Sequence, residues 1–226
     1  MKINNSLLKW IAIISMITDH LAVMITEHIP MQVYYVMRGV GRLAFPIFCF
    51  LLVEGFINTK SFGKYFIRVA GFAVLSQIPY NILRYGNIIG GGYFNILFTF
   101  SVTLVVLYIL AKCKMNRIKG FLVAFITIVA SMTVTYLLNF EYSYKCILLA
   151  VLFYYTGRNI SYQAVKNVGA VAILYLNCGM VDLAAPLSLF FINAYNGEKG
   201  KFPKWFGYVF YPLHLLLFGL VRILIS

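Results

Sequence analysis

Charge-poor apolar runs fill almost the whole of this 226-residue chain, one after another, with only short basic stretches between them. No soluble fold of this size has an interior large enough to hide them: 62% of the residues are apolar and 11% charged, against roughly 45–50% and about 25% in an ordinary globular chain. Nine runs stand out, at 7–25, 36–56, 66–83, 94–111, 121–138, 144–155, 165–176, 183–194 and 205–224. Each approaches the ~20 residues that a bilayer core requires. Around Val151, Ile173 and Leu189 the runs shorten to about a dozen strongly apolar residues, where a tilted or re-entrant element is the alternative to a full crossing. The expected fold is all-α: one domain over 1–226, a polytopic integral membrane helical bundle of about nine transmembrane helices.

The net charge of +13 does not point to nucleic acid, because there is no soluble module to carry a basic face. It follows the positive-inside rule instead. With a cytoplasmic N-terminus and nine crossings, fourteen of the 19 Lys and Arg fall inside and five outside, namely Arg38, Arg42, Arg84, Lys145 and Arg222. A multi-pass protein of the cell membrane with an external C-terminus is therefore expected. The first run contains Asp19 and His20, which a cleavable signal segment would avoid, so it reads as a retained helix. Cys49, Cys113, Cys146 and Cys178 lie far apart, without the spacing of a disulfide framework or of a metal site. The longest loops are only about ten residues, which leaves the bundle itself and its rims to carry any chemistry.

Ionisable groups inside the membrane are the informative residues, since each costs about 2.5–3.5 kcal/mol unless a partner, a cavity or a function offsets it. Asp19 and Arg42 lie at matching depth, roughly 10 Å below the outer face at about 1.5 Å per residue, and are expected to pair. Arg38 stands one turn from Arg42 on the same helix face. Adjacent helical residues point about 100° apart, so His20 is expected to turn away from Arg42 into a cavity, where a neutral imidazole serves as a general base. His214 follows Tyr211 and the helix-kinking Pro212, and either lines that cavity or bonds a neighbouring helix. Glu54 and Arg68, at the inner ends of their spans, suggest a structural pair. Gln77, Asn81 and Asn95 read as interhelical packing groups or pocket lining, and Asp182 as a helix cap.

Six ordered segments then carry a family resemblance: KWIAIISMITDH at 9–20, GRLAFPIFCFLLVEG at 41–55, YFIRVAGFAVLSQIPYN at 65–81, NILFT at 95–99, NGEKG at 196–200 and FYPLHLL at 210–216. Together they resemble the TraX family, which is similar in plan to the acyltransferase-3 group of membrane acyltransferases. The resemblance implies transfer of an acetyl or short acyl group from cytosolic acyl-CoA to an amine or hydroxyl acceptor at the outer face. It implies His20 as the catalytic histidine, Arg38 and Arg42 as its arginines and acetyl-CoA as co-substrate; the depth match adds Asp19 to the catalytic set of His20 and Arg42, and the sequence shows no metal-ligand spacing. The CoA phosphates would suit Lys60, Lys64, Arg68, Lys112, Lys114, Arg117 and Lys119 at the cytoplasmic rim. Arg38, Glu54, Gln77, Asn81, Asn95, Tyr211 and His214 would line the pocket. The acceptor stays open among a peptide, a sugar and a polymer precursor. The rival readings are a transporter or flippase, which should show repeat symmetry between matching halves, and a non-catalytic assembly protein.

Overall fold

The computed structural model describes residues 2–113, 118–157, 159–203 and 205–225; Lys114 and Arg117 lie outside them. Ten α-helices follow in order: α1 Asn5–Met24, α2 Met31–Gly41, α3 Ala44–Asn58, α4 Phe62–Tyr85, α5 Ile96–Lys112, α6 Ile118–Leu137, α7 Ser143–Thr156, α8 Gln163–Tyr175, α9 Ser188–Asn193 and α10 Phe206–Ile225. Short 3₁₀ stretches at Ile160–Tyr162 and Met180–Leu187 precede α8 and α9. The chain is all-helical, with only two isolated β-bridges among the described residues.

Among the described residues, five segments are long and apolar enough to cross a bilayer: Asn5–Met24, Met31–Asn58, Phe62–Tyr85, Ile118–Leu137 and Phe206–Ile225. Three shorter apolar ones, Ile96–Lys112, Ser143–Thr156 and Met180–Asn193, accompany them. Where nine crossings were expected, the described residues hold five candidate spans and a set of shorter elements. At about 1.5 Å per residue, the 14 residues of α7 reach about 21 Å, short of a ~30 Å hydrocarbon core. That helix is interior: Cys146, Ile147, Leu149, Ala150 and Phe153 are all fully buried. It packs against α3, α5, α6 and α8. The long α6 is its opposite, with only Ala124 and Thr135 buried, as befits a helix whose sides face lipid.

Two expected spans are broken, each at a proline. The run at 36–56 is two helices joined at Arg42–Leu43, because Pro46 has no N–H to give the Arg42 carbonyl. The chain tightens there into three-residue turns, with Arg42 N donating to Gly39 O at 3.1 Å and Leu43 N to Val40 O at 3.2 Å. The run at 183–194 is a 3₁₀ stretch followed by a six-residue helix. Pro186 cannot donate to the carbonyl of Asp182, four residues earlier. Both breaks lie beside the charged groups described below.

The interior is a continuous cluster centred on α3 and α7. Phe50 meets Phe153 and Tyr195 edge to face, with centroids 5.5 Å apart in both pairs. A smaller cluster of Tyr80, Leu83, Tyr211 and Leu215 joins α4 to α10. Helix packing there depends on Gly219, where an added Cβ would come within 2.8 Å of Ile82 Cγ2 and 2.9 Å of Leu83 N. The N-terminal segment is strapped to the chain after α9, with Ile3 N bonding Ala194 O at 2.9 Å and Asn196 N bonding Ile3 O at 2.8 Å.

Candidate active site

Asp19, near the end of α1, lies against the last turn of α2. Its Oδ2 accepts from Arg38 Nη1 at 2.6 Å, and its Oδ1 from Arg42 Nη2 at 3.1 Å. One carboxylate therefore bridges two guanidinium groups, and Arg38, read from the sequence only as sharing a face with Arg42, is the closer partner. Gly41 makes the approach possible, since a Cβ there would overlap Asp19 Cβ and Oδ1. Gly41→Ala is expected to destabilise the protein by about 1–3 kcal/mol through overpacking, read as a lower unfolding temperature in detergent. Gly71→Ala, on α4 with nothing within 4 Å of its Cβ position, is the matched control and should leave the transition unchanged or raised. Equal tolerance of the two substitutions would refute the tight α1–α2 contact.

Three further groups reach Arg42 from distant parts of the chain. Its Nη1 donates to the Tyr142 hydroxyl at 2.7 Å. Asp182 Oδ1 lies 3.8 Å from its Nε, which makes no hydrogen bond and is buried. Asp182 also caps its own 3₁₀ turn as expected, its Oδ2 accepting from Gly179 N at 3.0 Å. The Tyr142 ring lies flat on Phe45, centroids 3.8 Å apart.

The loop that delivers Tyr142 is strained. Asn139, Tyr142 and Ser143 have φ of 53°, 57° and 36°, the left-handed region that non-glycine residues rarely adopt and that tends to persist where function maintains it. Hydrogen bonds clamp the same loop: Glu141 N donates to Phe94 O at 3.0 Å and Thr99 Oγ1 to Glu141 O at 2.6 Å. The Glu141 carboxyl lies within the electrostatic reach of the charged cluster. Burial pushes its pKa up, while the guanidinium groups of Arg84 and Arg42 pull the other way.

His20, the next residue after Asp19, turns toward α10. Its Nδ1 lies 2.7 Å from His214 Nε2 on α10, and the two rings stack with centroids 5.0 Å apart. His214 is 5% exposed, whereas His20 keeps partial exposure. On its far side, His214 Nδ1 lies 2.8 Å from Phe210 O.

The other expected residues divide into two groups. Gln77, Asn81 and Asn95 satisfy one another: Gln77 Nε2 donates to Asn81 Oδ1 and Asn95 Nδ2 to Gln77 Oε1, both at 2.8 Å. Asn81 and Asn95 also reach backbone carbonyls at Ile88 and Ala73. This network ties α4 to the loop before α5. Tyr211 is buried beside Tyr80. Glu54 lies at the other end of α3, twelve residues and so about 18 Å from Arg42, and is buried. Arg68 lies over the Tyr208 ring at 6.0 Å. Lys60, Lys64, Lys112 and Lys119 are exposed at that same end, on the turns before α4 and around the α5–α6 connection. Among the described residues no group of three or more His, Cys, Asp and Glu is placed to hold a metal.

Sequence reasoning missed Tyr142 and Glu141, and it read Asp182 as a cap alone. Acid scarcity is the signal that could have found the two acids, because the chain has only six Asp and Glu.

Comparison with known proteins fits this arrangement. No solved structure matches the chain. It is 29% identical over 231 residues to the probable fimbrial assembly protein FimC, serogroup H1, of Dichelobacter nodosus, covering 93% of this chain and 92% of the relative. The model of the TraX protein family matches residues 4–222, a stretch that takes in Asp19, His20, Arg38, Arg42, Tyr142, Asp182 and His214, so the chain belongs to the TraX family.

Proposed function

We propose that the protein is a membrane-embedded acyltransferase that moves an acetyl or short acyl group from acyl-CoA to an amine or hydroxyl of a component assembled at the cell surface. One observation carries the reading: a histidine with one ring nitrogen unengaged by any described residue directly follows Asp19, whose carboxylate holds a buried arginine, Arg42, that has an N–H to spare. His20 receives the proton of the acceptor as the acceptor's lone pair bonds the thioester carbonyl carbon. Arg42 Nε–H, already desolvated, donates to the oxygen on which negative charge develops. Collapse of the tetrahedral adduct breaks the C–S bond, and the leaving CoA thiolate takes the proton back from His20. The exposed lysines at the opposite end of the bundle, Lys60, Lys64, Lys112 and Lys119, suit the phosphates of the nucleotide end. The acyl-pantetheine arm then reaches toward His20 between the helices. The fimbrial relative supports an acceptor belonging to a surface fibre or to its assembly machinery.

The test is thiol release from acetyl-CoA by the protein in lipid nanodiscs, with a peptide amine and a sugar hydroxyl offered in parallel. Release stimulated by one acceptor supports the reading. CoA that neither binds nor turns over would overturn it.

The same reading needs the lysine-rich end in the cytoplasm, the side that the positive-inside rule favours for Lys60, Lys64, Lys112 and Lys119. In a Cys178→Ser background, Lys119→Cys is expected to resist a membrane-impermeant maleimide in intact cells, and Lys145→Cys to react. The reverse pattern would refute the orientation.

A further inference from the structure

The hydrogen-bond chain through the two histidines fixes where their protons are. A backbone carbonyl only accepts, so His214 Nδ1, 2.8 Å from Phe210 O, carries a proton. In the neutral ring the other nitrogen, Nε2, is then a bare acceptor. Opposite it at 2.7 Å stands His20 Nδ1, which must therefore be the donor. A neutral His20 with its proton on Nδ1 has a bare Nε2, and that nitrogen has no hydrogen-bond partner among the described residues. The burial of the two rings gives the pair a direction: His214 is 5% exposed and wedged between Phe210, 4.9 Å away and parallel, and Phe218, 5.9 Å away and edge-on. His20 is the partly exposed member. The inner ring is held, and the outer ring is the member of the pair with surface to offer.

We infer that His214 is a positioning residue that acts through His20, locking the His20 ring as the Nδ1–H tautomer so that Nε2 is the atom that takes the acceptor's proton. Its catalytic consequence rests on the acyl-transfer reading; the tautomer itself does not. Pro212, two residues before His214, opens the α10 backbone near the ring, and the Phe210 carbonyl supplies the fixed end of the chain. The charged cluster does not supply this orientation, because Asp19 projects toward Arg38 and Arg42 on α2 whereas the His20 ring meets α10.

Nitrogen-15 NMR of histidine-labelled protein in nanodiscs reads the tautomer directly. The chain has three histidines, and a His28→Asn background leaves only the pair. The expected wild-type spectrum shows His20 with Nδ1 protonated and Nε2 of pyridine type. His214→Phe, which removes the acceptor but keeps an aromatic ring, should release His20 to the Nε2–H form or to a mixture. His214→Gln, whose amide oxygen can stand where Nε2 stood, should retain Nδ1–H. In the transfer assay His214→Phe should lower kcat on the order of 10²-fold, with KM for acyl-CoA little changed, and His214→Gln should recover much of the loss. A wild-type His20 in the Nε2–H form, or a tautomer indifferent to His214→Phe, would overturn the inference. Absence of transfer by the wild type with the predicted tautomer present would overturn the proposed function and leave the tautomer assignment standing.

Discussion

Asp19→Ala is expected to cost about 3–5 kcal/mol, the range for breaking a buried ion pair by removing one partner, and to be the most damaging single change in the charged cluster. The asymmetry follows from the connectivity. Asp19 is bonded to both Arg38 at 2.6 Å and Arg42 at 3.1 Å, with side chains only 12–14% exposed. Its loss leaves two cations competing for what remains, and Asp182 stands at 3.8 Å from Arg42 alone. Arg38→Ala leaves Asp19 its bond to Arg42, and Arg42→Ala leaves it Arg38, so each should be milder. The monodisperse fraction and unfolding temperature in detergent measure this directly. Combining Asp19→Ala with Arg38→Met removes one charge of each sign and leaves Arg42 beside Asp182 and Tyr142, so it should recover a large part of the lost stability. A double variant no more stable than Asp19→Ala would show that the bridge contributes little.

Much of this cluster was legible because intramembrane charge is scarce. Asp19 and Arg42 could be set at one depth by counting residues along two neighbouring helices, and helical periodicity put Arg38, one turn away, on the same face as Arg42. The same arithmetic works only between segments that follow each other in sequence. His20 and His214 are 194 residues apart, and nothing in either segment says that α1 packs on α10. Tyr142 was invisible for another reason: it reaches Arg42 from a loop whose left-handed residues carry no glycine or Asn-Gly signature to mark a special turn. The number of helices was misjudged in the two places where hydropathy is blind to hydrogen bonding. Pro46 and Pro186 leave the apolar run intact while removing the N–H that would have continued the helix. The lysine-rich rim, by contrast, followed from charge counting alone, since exposed helix ends need no tertiary information to be read as polar.

His20→Ala is expected to lower acyl transfer by 10²–10⁴-fold, the usual contribution of a positioned general base, while leaving the unfolding temperature nearly unchanged. Function and stability separate here because of what the imidazole touches. Its hydrogen bond is to another histidine, at a partly exposed position, and the anchoring of His214 by Phe210 O, Phe210 and Phe218 survives its removal. The charged bridge one residue earlier is untouched as well, since Asp19 projects toward α2 and His20 toward α10. A structural histidine would behave in the opposite way: its loss would lower the unfolding temperature and reduce activity only in proportion to the folded fraction. Measuring transfer per mole of monodisperse protein separates the two outcomes, and retained activity above about a tenth of wild type is incompatible with a general-base contribution of at least 10²-fold. CoA binding supplies the remaining control. The lysines proposed to hold the nucleotide end lie at the other end of the bundle, so acyl-CoA affinity should survive in His20→Ala even as turnover is lost.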